Sequence, residues 1–200
     1  MAQLYLLSDF AQIHTGFTFR GKVEEAADGN AHLVQIKDAR SHWQSQASSR
    51  MAIDALPKIH WQGKSYARAG SVLLPSRGEY VRASCLQTQD GDCLPIVASS
   101  QFFIINAGEH LLPEYLCWLL NQPAIQHRLQ HDSRGSNIPM LNIGQIGELK
   151  LPIPDLSTQQ NIVALERLAE QEYCLLQKLQ HNRQQQSQAI YQKLIKEHAA

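Results

Sequence analysis

Charge of one sign is missing from this sequence: 18 Lys+Arg balance 18 Asp+Glu over 200 residues, so the formal net charge is zero. Any surface for a polyanion must therefore be a local patch, not a property of the whole chain. Paired cysteines are missing too. Cys85, Cys93, Cys117 and Cys174 stand far apart, with no CxxC pair and no Cys/His group at zinc-ligand spacing, which points to a reduced, cytoplasmic chain without a metal. No apolar run approaches the roughly 20 residues of a membrane span. The start, MAQLYLLSDFAQ, has neither the basic opening nor the long apolar stretch of an export signal. No repeat recurs at a fixed period, so a solenoid is not expected.

Signatures of chemistry are equally scarce. No glycine-rich loop precedes a Lys-Ser or Lys-Thr pair, no GxGxxG opens a helix after a strand, and no GxSxG elbow occurs. The Asn-Pro-Pro-aromatic and Asp-Pro-Pro-Tyr strings with which aminomethyltransferases hold a flipped base are absent. His127 and His131 have the i, i+4 spacing of a metal face, but the string HRLQH carries no glutamate to act as a base. Asp132, Glu148 and Lys150 match the carboxylate, carboxylate and lysine set of metal-dependent nucleases. That match is also expected from an edge strand whose Leu149 and Leu151 point inward and whose Glu148 and Lys150 face solvent.

What is present suits recognition. Apolar residues make up 44% of the chain, enough for one core plus an appended element. From Phe17 to about Ile105, short apolar stretches (His32–Ile36, Ser71–Leu74, Gln101–Ile105) alternate with turn sequences such as Asp28-Gly29-Asn30. A mixed or mostly antiparallel sheet follows. Tyr115, Leu116, Leu119 and Leu120 share a helical face, and a second short helix follows Pro123. Residues 140–147 fit no single pattern, and Leu149–Pro154 is a short extended edge.

Ser157 offers an N-cap with Gln160 as its capping-box partner, and neither Gly nor Pro occurs from there to His198. One helix is predicted from about Thr158 to Lys196, roughly 58 Å long. Ile162, Leu165, Ala169, Leu176, Leu179 and Ile190 lie on a 3-4 seam that also carries Glu172, Arg183 and Gln186. Such a seam suits antiparallel self-pairing or pairing with helices of another subunit. The alternative is a polar helix lying along its own domain. The fold class is thus α+β, with a domain at 1–155 and a long helix at 156–200.

Between Lys37 and Arg82, eight basic residues face three acidic ones, interleaved with His42, Trp43, His60, Trp61, Gln62, Tyr66 and Tyr80. Lys37, Arg40, Lys64, Arg68 and Arg82 are candidates for phosphate contact. Arg20 and Arg77, in expected loops, are candidates for base readout, although each could equally form an ordinary surface ion pair. Thr18, Tyr80, Ser136 and Asn137 are further loop candidates. Trp43, Trp61 and Trp118 are read as packing residues.

Several pieces, in this order, resemble the specificity subunits of type I restriction-modification systems. They are Gly16-Phe-Thr-Phe-Arg20, Leu33-Val-Gln-Ile-Lys-Asp38, Ala69-Gly-Ser-Val-Leu-Leu74 with Ser76-Arg-Gly78, and Tyr115–Asn121. Gly135–Leu141 and Leu149–Leu156, running into Gln159–Ile162, complete the series. The resemblance implies a non-catalytic DNA-binding module with one target-recognition domain and one spacer helix. Its implied partners are double-stranded DNA, methyltransferase subunits that themselves bind S-adenosylmethionine, and a motor-nuclease subunit. The family's usual subunit has two domains and two helices. With one of each, this chain is expected to pair as a homodimer and read a gapped palindrome with half-sites up to roughly one and a half duplex turns apart. A small metal-dependent nuclease and a coiled-coil scaffold without DNA are the alternatives.

Overall fold

The computed structural model describes residues 3–45, 48–77, 81–88, 94–132 and 141–198. The chain forms two compact units, Met1–Val163 and Ala164–Ala200. In chain order the elements are β1 (Leu4–Leu6), β2 (Ala11–Thr15), β3 (Ala31–Val34), α1 (Ile36–Ser45), β4 (Arg50–Ala52), β5 (Lys58–Ile59), β6 (Val72–Pro75) and β7 (Ser84–Gln87). There follow β8 (Ile96–Ala98), β9 (Phe102–Ala107), α2 (Pro113–Leu120), α3 (Pro123–Asp132), α4 (Ile143–Gly147), β10 (Lys150–Pro152) and α5 (Leu156–His198). This is an α+β fold with mixed sheets and a long C-terminal helix.

The strands form a five-stranded sheet in the order β2-β9-β6-β7-β4, a three-stranded sheet β5-β3-β8 and a small β1-β10 pair. Pairing is antiparallel except for β3 with β8 and β4 with β7. Strand periodicity explains how three core clusters arise from so few residues, because successive side chains point to opposite faces. Val72 and Leu74 of β6, with Phe103 and Ile105 of β9, enter the cluster covered by α2, α3 and α4. Leu73, Phe102 and Ile104 point the other way, into a cluster shared with α1 and one face of the three-stranded sheet. Ala31, Leu33, Ile59 and Val97 line the remaining face of that smaller sheet. Phe102 and Phe103 are therefore both buried, each by a different layer.

Three local expectations are corrected, and one unassigned stretch gains an element. The strand expected over His32–Ile36 ends at Val34, and Ile36 opens α1. Asp38 fastens this helix: its Oδ2 accepts the Gln35 N–H at 2.8 Å, while Ala39 is buried and Ile36 and Trp43 pack on the same core. Within the unassigned 140–147 stretch, Asn142 and Gln145 form a reciprocal capping box that starts α4. Glu148 belongs to the exit of that helix, not to an edge strand; Leu149 and Leu151 are buried and Lys150 is exposed.

The long helix starts at Leu156, and Asp155 caps it instead of Ser157. Asp155 Oδ1 accepts the Thr158 N–H at 2.9 Å and Oδ2 accepts the Thr158 hydroxyl at 2.8 Å. A carboxylate beside free N–H groups is favoured over a hydroxyl there, because the helix N-terminus carries partial positive charge. The bonds from the Thr158 backbone and then from its side chain hold the Asp155 carboxyl below its ordinary 3.8. For such a depressed acid, the stabilisation is complete above pH 3.8 and is lost as pH falls through the lower folded-state value. Asparagine caps without titrating. The gap in Tm between the parent and Asp155→Asn should hence shrink in thermal melts taken below pH 3.8; a gap independent of pH would refute this role.

One turn along, the buried Gln159 amide bolts the helix start to the loop before α2. Its Oε1 accepts the Leu112 N–H at 2.8 Å, and its Nε2 donates to the carbonyls of His110 at 3.0 Å and Pro154 at 2.8 Å. Ile162 and Val163 then pack against the core of the first unit. Ile162 is thus occupied within its own domain, whereas Leu165, Ala169, Leu176, Leu179 and Ile190 are exposed along the second unit.

Candidate nucleic-acid interface

The outer face of the three-stranded sheet is closed by aromatic side chains from two loops. Phe19 and Val23, from the segment after β2, and Trp61, from the segment after β5, pack on Ala31, Leu33, Ile59 and Val97. Phe17 meets Trp61 edge-on at 4.7 Å between centroids and Phe19 at 5.1 Å, a geometry that aromatic quadrupoles favour.

Backbone bonds hold the first of these loops at Phe17. Phe17 N–H donates to the Ala98 carbonyl at 2.8 Å, Ser100 N–H donates to that of Phe17 at 2.8 Å, and Phe17 bridges Ser99 in parallel. Phe19 is half-buried and Phe17 is 48% exposed, both in ring contact with Trp61, and Thr18 and Arg20 are exposed between and beyond them.

Asn30 ties the second loop to the first. Its Oδ1 accepts the Trp61 N–H at 2.7 Å and its Nδ2 donates to the Trp61 carbonyl at 2.9 Å, the exchange a neighbouring strand would make. Gly63 lies against the Trp61 ring, where a Cβ would come within 2.6 Å of Cζ2. Lys64 follows, exposed. The structure thereby brings Thr18, Arg20 and Lys64 onto one aromatic-pinned pair of loops, although Arg20 and Lys64 are far apart in sequence.

The chain then crosses to the five-stranded sheet. Ser65 Oγ bonds to the Ile96 carbonyl, and Ala67 bridges Ile96. Tyr66, 48% exposed, stacks on His14 of β2 at 4.4 Å and 13°. Asn106 Nδ2 donates to the Tyr66 carbonyl at 3.0 Å, and Ser71 Oγ donates to Asn106 Oδ1 at 2.6 Å while accepting the Arg68 N–H at 2.9 Å. Arg68 itself is exposed. The His14–Tyr66 stack escaped the sequence reading, because only the tertiary path of this crossing segment brings the two rings together.

The other candidates divide. Arg77 is exposed just past β6; Ser76 N–H donates to the Gln101 carbonyl and Gly16 N–H to that of Phe102, so the Arg77 and Arg20 segments leave on either side of residues 101–102. Lys37 and Arg40 are exposed on α1, with Lys37 Nζ 3.2 Å from Glu25 Oε1. Arg82 lies between Val81 and Ala83, which are buried on the helical side of the five-stranded sheet, and Asn121 bonds both backbone groups of Ala83. It is half-buried. Tyr80, Ser136 and Asn137 lie outside the described residues.

A cleft of about 560 Å³ separates α1 from β4 and is lined in part by Asp38, His42, Arg50 and Gln87. Burial pushes the Asp38 carboxyl above its ordinary 3.8. Its Oδ2 is nevertheless engaged at the start of α1, and His42 Nε2 donates to the Ser48 carbonyl at 3.0 Å, so both groups serve the ends of that helix. His127 is exposed on α3; the side chains of His131 and Asp132 lie outside the described set. Among the described residues no group of three His, Cys, Asp or Glu side chains is placed to hold a metal ion. No helix among them is long and apolar enough to cross a membrane.

The family model described as type I restriction modification DNA specificity domain matches residues 3–170. Among solved structures, the chain resembles one from a study of complex assembly and conformational transition of the type I R-M system. Identity is 16% and the TM-score 0.64, over 90% of this chain and 41% of that one. It resembles the HsdS subunit of Thermoanaerobacter tengcongensis at 16% identity and a TM-score of 0.63, over 89% of this chain and 39% of that one. The S subunit of a type I restriction-modification system from M. genitalium matches at 11% identity and a TM-score of 0.52, over 84% of this chain and 38% of that one. The chain spans about two-fifths of the length of these three structures. No curated protein matches it in sequence.

Proposed function

Because the chain belongs to the family of type I restriction modification DNA specificity domains, we propose that it reads a DNA target for methyltransferase subunits and carries out no chemistry itself. The observation that carries this reading is the aromatic cluster of Phe17, Phe19 and Trp61, which anchors the loop on which Thr18 and Arg20 are exposed. A readout side chain needs such a pedestal, since a bidentate contact with guanine rewards a guanidinium already held in position. Arg77 is its companion from the neighbouring loop. Lys37, Arg40, Lys64 and Arg68 supply phosphate contacts that fix orientation without reading sequence; Arg82 is the least exposed of the set.

On this reading S-adenosylmethionine binds to the methyltransferase subunits, not to this chain, and a motor-nuclease subunit joins where cleavage occurs. Two copies pair through the exposed part of α5 and present two identical readers to a gapped palindrome.

Fluorescence anisotropy of labelled duplexes across a salt series tests the DNA reading. The logarithm of affinity should fall linearly with that of salt, by about 0.9 for each phosphate neutralised. In the double variant Lys64→Ala, Arg68→Ala the slope should shrink by about 1.8, with target and random duplexes weakened alike. Absence of any salt-dependent binding would leave a scaffold as the function.

A further inference from the structure

The exposed stripe of α5 carries one acid and one base among its apolar residues. In the second unit Leu165, Leu176, Leu179 and Ile190 are about half exposed or more, which is unusual for so many large side chains on one line. Glu172 and Arg183 lie on the same line and are exposed. A seam that buried either charge without an opposite partner would be costly.

Resting on the reading of the chain as a homodimer whose long helices run antiparallel, we propose the register of that pair: its two-fold axis lies between Gln177 and Lys178. In such a pair each residue faces the partner residue equally far beyond the axis. Leu176 then meets the partner's Leu179, and Glu172 the partner's Arg183. Ala169 meets the partner's Gln186, and Leu165 the partner's Ile190. Spacings alternate between four and three along this line, so the seam stays continuous in other registers and only side-chain chemistry distinguishes them.

Shifting one copy by a heptad toward the N-terminus sets Glu172 against Leu176 and Arg183 against Leu165. The opposite shift sets Glu172 against Ile190 and Arg183 against Leu179. A parallel pair sets Glu172 on Glu172 and Arg183 on Arg183. Of these arrangements, only the axis at 177–178 pairs both charges, twice by symmetry, and matches large apolar residues with each other. This charge complementarity identifies the occupant of the stripe as a second copy. The register also fixes a span: at 1.5 Å per residue the two copies of Ala164 stand about 40 Å apart along the helix pair, a little over the roughly 34 Å of one duplex turn.

Charge reversal in the full chain, followed by sedimentation equilibrium, tests the register. Glu172→Arg and Arg183→Glu each create two like-charge contacts and should weaken the dimer about tenfold or more, whereas the double variant should return to within about threefold of the parent. Far-UV circular dichroism and an unchanged Tm of the first unit confirm that each variant is folded. Weakening in both single variants without recovery in the double overturns the register while leaving the dimer standing. Indifference of the dimer to all three variants places the contact elsewhere and also overturns it. A monomeric parent overturns dimer and register together, as it would if the stripe served helices of another subunit, and leaves the DNA titration as a separate result.

Discussion

Gly16→Ala should lower Tm by about 6–12 °C, the shift expected in a chain of this size for about 3 kcal/mol of destabilisation. Space, not backbone conformation, is the reason: Gly70 is the only glycine with a positive φ among the described residues. A Cβ at position 16 would stand 2.1 Å from the Ser99 carbonyl oxygen and 2.5 Å from that of Ala98. Both obstacles are main-chain atoms at the end of β8, so no side chain can turn aside to make room. The segment would have to move away, breaking the Gly16–Phe102 and Phe17–Ala98 backbone bonds and withdrawing Phe17 from Trp61. Gly21, with nothing within 4 Å of its notional Cβ, is the control. Gly21→Ala should stay within about 0.5 kcal/mol of the parent, and a Gly16→Ala melt that matches it would refute the close approach.

Arg20→Ala should leave stability unchanged within about 0.5 kcal/mol, because the side chain is exposed. Affinity for the target duplex should nonetheless fall by about 5- to 150-fold, the equivalent of one lost bidentate base contact worth about 1–3 kcal/mol. The ratio of target to random affinity distinguishes this from simple loss of charge. Alanine should lower that ratio, as should Arg20→Lys, since lysine keeps the charge without the planar fork. If Arg20→Lys restores target affinity and the ratio holds, Arg20 touches phosphate and the base reader lies elsewhere.

How far such features can be read from sequence depends on the separation of the residues involved. Strands β6 and β9 were legible because the apolar runs Val72–Leu74 and Phe102–Ile105 suit strands buried on both faces, and the core clusters show both faces filled. Helix α1 was not. Its apolar positions Ile36, Ala39 and Trp43 are diluted by Lys37, Arg40 and His42, and the helix is held by packing on the two sheets and by the Trp43 Nε1 bond to Ser84 Oγ. Asp155 overtook Ser157 as a cap through a charge preference that simple cap spacing does not weigh.

The candidate interface was legible in residue type but not in grouping. Proximity in sequence put Lys37 through Arg82 into one patch, yet between those residues the chain visits both larger sheets, and Arg82 is half-buried between two core residues, Val81 and Ala83. Arg20 lay outside that window and is joined to Lys64 by Phe17, Phe19 and Trp61. Trp61, read from the sequence as a packing residue, does pack; what it packs is the pedestal of the exposed loop. Contacts across so many residues leave no periodic trace in either partner.

The Asn30 clasp on Trp61 has a bearing on how new binding preferences could arise. Asn30 spends its side-chain amide on both backbone groups of a residue 31 positions away. Recombination with a relative that replaced residues 16–30 but kept 58–64, or the reverse, would join halves shaped for different counterparts. Inheritance of a new preference would thus require both stretches to travel together as one cassette, while the strands beneath, already filled on each face, could stay as they are.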